Sequence, residues 1–86
     1  MFFVYILEAI NYGKYYIGQT NNLDVRFTSH NQGENKYSNP YKPWKVLFHK
    51  SYETRSESMA VEKKLKALKK RELVVKFAIE NQFVVS

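Results

Sequence analysis

Cysteine is absent from the 86-residue chain, so neither a disulfide framework nor a thiolate zinc site can hold it together, and an oxidising compartment has no visible use. Proline occurs twice and glycine three times, which excludes a flexible linker or a fibrous repeat as the main content. Long apolar runs are missing too. The stretch from Met1 to Ile10 is interrupted by Glu8, carries no basic leader and is far too short to span a bilayer. It reads as a strand, and the chain as a cytoplasmic protein without membrane contact. What remains is a globular composition, 44% apolar and 16% aromatic. That is enough for one domain over residues 1–86, held by hydrophobic packing alone. Acidic residues are in the minority: fourteen Lys and Arg against eight Asp and Glu leave a net charge of +6. The excess favours a polyanionic partner, since each phosphate neutralised releases condensed counterions, although solubility alone also explains such a balance.

Local patterns predict the elements. Phe2 to Leu7 is short, aromatic and β-branched, as in a strand covered on both faces. Tyr15 to Thr20 follows a break at Asn11 and Gly13, residues that tolerate tight turns, so the two strands should form a hairpin that leaves Tyr5 and Tyr16 opposite or diagonal. Asn21 and Asn22 are N-cap candidates for a first helix carrying the Leu23/Phe27 pair and stopping at Gly33. A polar loop with Pro40 and Pro43 leads to a third strand, Trp44 to Tyr52. Thr54 and Glu57 have capping-box spacing, so a second helix should start near Arg55 and run toward Lys69, with Met59, Val61, Leu65 and Leu68 as its apolar stripe. A last helix is expected over Arg71 to Asn81. The order β-β-α-β-α-α predicts an α+β fold: a small, mainly antiparallel three-stranded sheet flanked by helices.

The segments Val4-Tyr5-Ile6 and Tyr16-Ile17-Gly18, their tyrosines eleven residues apart, resemble the two halves of the motif that names the GIY-YIG nucleases. Arg26, His30-Asn31-Gln32-Gly33, Pro43-Trp44 and Glu62 follow in the order and spacing of that family. The resemblance is closest to its small single-domain bacterial members and to the nuclease domain of structure-selective resolvases. Two positions depart from it: Phe3 and Val4 stand where the name has Gly and Ile, and Gln19 stands where some members have lysine.

The resemblance implies a phosphodiester hydrolase using Mg²⁺ or Mn²⁺. Such chemistry needs an activated water, positive charge for the phosphoryl oxygens and help for the departing oxygen. One carboxylate suffices to hold Mg²⁺, which keeps most of its waters. Glu62 is the candidate metal ligand. Its i,i+3 spacing from Met59 and Leu65 places it at the edge of the apolar stripe, while the plainer reading is a surface pair with Lys66. Arg26 is expected to clamp the phosphate, and His30, one turn on, to relay a proton or hold a neighbour. Tyr5 is expected to act as base with Tyr16 as its hydrogen-bonded partner. A free phenol, with a pKa of about 10, needs cationic neighbours for that task, and Arg26, the metal and Lys14 are the candidates to lower it. Gly18 should give the phosphate backbone room, or mark a bulge. Lys14, Lys36, Tyr37, Lys42, Lys63 and Lys66 are the expected nucleic-acid contacts, interleaving charge with aromatic surface as binders of frayed or single strands do.

The reading is an endonuclease acting on DNA, branched or partly single-stranded, directed by structure rather than base sequence, with a protein partner to supply targets. The alternative is a weak or inactive nucleic-acid-binding module of the same fold within a larger assembly, a reading that the two departures keep open.

Overall fold

A computed structural model describes residues 1–32 and 39–85, without the side chains of Ser29, His30, Gln32 and Asn39. The chain forms strands β1 (Phe2–Ala9) and β2 (Tyr15–Thr20), helix α1 (Leu23–Gln32), strand β3 (Trp44–Tyr52), helices α2 (Arg55–Leu68) and α3 (Arg71–Glu80), and strand β4 (Val84–Val85). A single 3₁₀ turn, Asn39–Tyr41, precedes β3. All strand pairs are antiparallel, in the order β2-β1-β3-β4.

The local signals account for most of these boundaries. Gly13 takes φ +64° in the β1–β2 turn, a backbone state glycine adopts without steric cost. The Asn22 side chain accepts the Val25 N–H at 3.2 Å, capping α1. Thr54 accepts the Glu57 N–H at 3.2 Å and donates to the Glu57 carboxylate at 3.0 Å, so the capping-box residues do start α2.

Period-2 alternation along the central strand β1 divides the core into two. Val4 and Ile6 join Phe48, Leu65, Val74, Ala78 and Phe83 under α2 and α3. Tyr5, Leu7 and Ala9 join Trp44 on the other face, where Leu23 and Phe27 of α1 cover them. The strand is therefore buried on both sides, as its apolar run implied.

Two expectations need correction. The sheet has four strands, not three: after α3 the chain turns through Gln82 at φ 62° and lays Val84 and Val85 beside His49 and Phe48. Two residues carry no readable period, so this strand had no sequence signal. Met59 is not in the stripe of α2 but 50% exposed. Ser58, one position earlier, is fully buried with Leu65 seven residues on, and Val61 and Leu68 complete the stripe. A serine is not counted as apolar, and that set the expected stripe one step off. On α3, Val74 and Ala78 are buried while Leu73 and Ile79 are exposed. Among the described residues no helix is long and apolar enough to cross a membrane.

Candidate active site

The hairpin register sets Tyr5 opposite Gly18 and Leu7 opposite Tyr16. Tyr5 and Tyr16 are therefore diagonal neighbours on one face, and their rings stack at 6.4 Å with planes 20° apart. Tyr16 also meets Trp44 edge to face at 6.1 Å. Since β2 is an edge strand, a side chain that crosses it delivers its end to the margin of the sheet. Tyr5 does so at the one position that permits it. A Cβ on Gly18 would stand 2.6 Å from the Tyr5 Cζ and closer still to its hydroxyl. The room at Gly18 is thus filled by the phenol, and the sheet's irregularity lies elsewhere, between Ile6 and Leu7 in the pairing with β3.

Helix α1, packed over this face, presents Arg26. Its Nε donates to the Tyr5 hydroxyl at 3.3 Å, and the Tyr16 phenol is a second acceptor for the guanidinium. These bonds raise the Arg26 pKa further, despite partial burial. Glu62 of α2 completes the group. Its carboxylate opposes ionisation of Tyr5 through space, and its side chain keeps 22% of its surface, with Lys66 at 3.5 Å. Ser58, one turn earlier on the same face, donates to the Arg55 carbonyl at 2.8 Å and stands 3.5 Å from the Gln19 amide oxygen. The small side chain lets α2 lie close to β2.

The proton on Tyr5 runs against expectation. Arg26 does stabilise the phenolate, but burial raises the pKa more, and Tyr16 and Glu62 raise it further, so the net shift is upward. Lys14, expected to help, has its ammonium 4.5 Å above the Tyr41 ring; the charges acting on Tyr5 are those of Arg26, Tyr16 and Glu62.

Tyr5, Tyr16, Gly18 and Arg26 are thus gathered at one place from three elements, and the charge of Glu62 on α2 reaches Tyr5 through space. The side chain of His30, and Lys36 and Tyr37, lie outside the described residues. Lys42 is exposed after the 3₁₀ turn, and Lys63 and Lys66 are exposed on α2. Among the described residues there is no group of three or more His, Cys, Asp or Glu side chains placed to cage a metal ion.

Asn31 had a place in the motif string but no assigned task. Its amide donates to the Trp44 carbonyl at 3.0 Å and accepts the Trp44 N–H at 2.6 Å, acting as a strand partner that ties α1 to the start of β3. Trp44 is 2% exposed, so Asn31→Ala removes two hydrogen bonds to a buried backbone and should cost about 2 kcal/mol. A thermal melt should show Tm lower by roughly 10 °C in a domain of this size; an unchanged Tm would mean that water replaces the amide without loss.

The family model of the GIY-YIG catalytic domain matches residues 1–75 of the chain. A UPF0213 protein of Streptococcus pneumoniae is 36% identical over 81 residues, covering 93% of this chain and 80% of that protein. A UPF0213 protein of Bacillus subtilis is 34% identical over 76 residues, covering 85% and 76%. Among solved structures, the solution NMR structure of a UPF0213 protein from Bacillus halodurans superposes with a TM-score of 0.56 at 28% identity, covering 92% of this chain and 85% of that one.

Proposed function

The chain belongs to the GIY-YIG family, whose domain is a nuclease domain acting on nucleic acid, and from that premise we propose a metal-dependent endonuclease that hydrolyses phosphodiester bonds in DNA, directed by the shape of its substrate. The observation that carries this reading is the meeting of Arg26, Tyr5 and Tyr16 at the β2 edge, within reach of the Glu62 charge.

Glu62 suits Mg²⁺ or Mn²⁺, because such an ion asks for one or two carboxylates and completes its shell with water and phosphate oxygens, and this carboxylate is partly open to solvent. Bound there, the ion supplies positive charge to the phosphoryl oxygens and to the departing oxygen. Arg26 is held by two phenols and keeps further N–H groups for a phosphate fork. With Arg26 donating to its oxygen, Tyr5 keeps its own proton for outward donation, and as a phenolate it can take one from an attacking water. Neutralising the Glu62 charge removes one of the influences that hold Tyr5 protonated. His30 is assigned an auxiliary role. The exposed lysines Lys42, Lys63 and Lys66 favour backbone contacts, hence salt-sensitive, shape-directed binding.

The test is incubation of the purified chain with nicked, flapped, branched and plain duplex DNA, with Mg²⁺ or Mn²⁺ and with chelator. Metal-dependent cutting supports the reading; binding without cutting on every substrate leaves a binding module. The pH dependence checks the base. Since the Tyr5 pKa is raised and the deprotonated form is the reactive one, the rate should climb with pH from about 6 to 9, up to tenfold per unit. Tyr5→Phe should lower the rate and flatten the climb, and an equally steep climb in that variant would remove Tyr5 as base.

A further inference from the structure

The basic corner where α2 meets α3 adjoins the cluster just described through Lys66, which pairs with Glu62 at 3.5 Å. Lys66, Lys69, Lys70 and Arg71, with Lys14 from the hairpin turn, line a groove of about 320 Å³. Tyr15 and Ile17 form part of its apolar floor. A second groove of about 360 Å³ shares Tyr15, Ile17 and Lys66 with the first and adds Tyr16. Through those shared residues the two form one track along β2, from the phenol that binds Arg26 to the α2–α3 corner. Of the five cations around this concavity, Lys66 pairs with Glu62 at 3.5 Å and Arg71 adjoins Glu8 and Glu72 in a neighbouring groove, so the uncompensated positive charge centres on Lys69 and Lys70. Such a lining is relieved by a bound polyanion.

The backbone at Lys69 adds an independent observation. This residue closes α2 in the left-handed conformation, at φ 63°. Glycine does that without steric cost, whereas a lysine is strained there. Arg71 is already engaged, donating to the Gly13 carbonyl at 2.6 Å and lying 5.6 Å over the Tyr15 ring. It holds the turn against the corner and leaves Lys69 and Lys70 as the principal cations.

We propose that this track is a second phosphate subsite, which grips the sugar-phosphate backbone of the nucleic acid at nucleotides flanking the cut. Phosphates contact Lys66, Lys69 and Lys70, while sugars or bases rest on Tyr15 and Tyr16. The assignment rests on the nuclease reading for its substrate class. The strained lysine provides the test, because Lys69→Gly removes the cation and relieves the backbone together.

Binding of a labelled duplex with a single-stranded tail is measured in chelator across about 50 to 200 mM salt, for the wild type, Lys69→Gly and Lys76→Ala. Lys76 is exposed on α3 and lines neither groove. Lys69→Gly should show a Tm no lower than wild type, a Kd raised by roughly 3- to 10-fold, and a salt slope smaller by about one. Lys76→Ala should shift Kd less than about twofold, as a charge off the contact surface does. Unchanged binding by Lys69→Gly, or equal weakening by Lys76→Ala, overturns the subsite. Selective weakening by Lys69→Gly in a chain that cuts no DNA with any metal upholds the subsite and overturns the nuclease reading alone.

Discussion

Glu62→Ala is expected to bring metal-dependent DNA cleavage down by at least about 100- to 1000-fold, the scale on which removing one group that stabilises developing charge acts, while the protein stays folded. The two halves of this expectation have separate origins. Activity should collapse because Glu62 is the carboxylate whose charge reaches Tyr5. Stability should hold because the side chain keeps 22% of its surface and its ion pair with Lys66, at 3.5 Å on the same helix, is of a kind worth only about 0.2–0.5 kcal/mol. Tm should therefore move by no more than about 2–4 °C. Glu62→Gln keeps the volume and removes the charge, so it should be equally inactive. If either variant cuts DNA at the wild-type rate, the carboxylate is only the partner of Lys66. If Tm falls by roughly 10 °C or more instead, the residue's main task is structural.

Gly18→Ala should damage both fold and chemistry. The added methyl carbon would lie 2.6 Å from the Tyr5 Cζ, well inside any tolerable contact. The ring cannot simply step aside. It is 1% exposed, stacked with Tyr16 at 6.4 Å and bonded to Arg26 at 3.3 Å. Relief must come from shifting β2 or rotating the phenol off its rotamer, an overpacking cost of about 1–3 kcal/mol. A melt should show Tm lower by roughly 5–20 °C, and cleavage should fall at least as far as in Tyr5→Phe, since Tyr5 and Arg26 would no longer meet. The double variant Tyr5→Phe/Gly18→Ala separates the two effects. It removes the hydroxyl, the atom nearest the new methyl, so its stability loss should be less than the sum of the single losses. Additive losses would show that the ring carbon Cζ, which phenylalanine keeps 2.6 Å from the new methyl, sets the cost rather than the hydroxyl.

The two variants probe features that were unequally visible in the sequence. Glu62 was indicated by the resemblance, whereas the spacing offered for it leaned on Met59, which is exposed. Gly18 could be recognised in the motif, but its expected partner was a phosphate backbone, and the atoms that fill its space belong to Tyr5. Asn31 and Ser58 show the same limit. One is a polar residue that closes a strand across thirteen positions of chain, and the other is a buried hydroxyl within a stripe that was read by counting apolar residues.

By itself, the sequence determined the six longer helix and strand segments, though not the last two-residue strand, and the two-sided burial of β1. Those properties depend on neighbours a few positions away: a cap and its third residue, alternation along a strand, a turn that suits glycine. Tertiary structure alone decided that the Tyr5 phenol crosses an edge strand at its only gap, that Ser58 rather than Met59 faces the sheet, and that Lys69 bends into a groove in a strained backbone. It also decided that Tyr5 holds its proton more tightly than a free phenol despite the arginine beside it. Burial sums over every atom that displaces water, and those atoms come from strands and helices far apart in the chain, so its balance against a single nearby charge is struck only once they have packed.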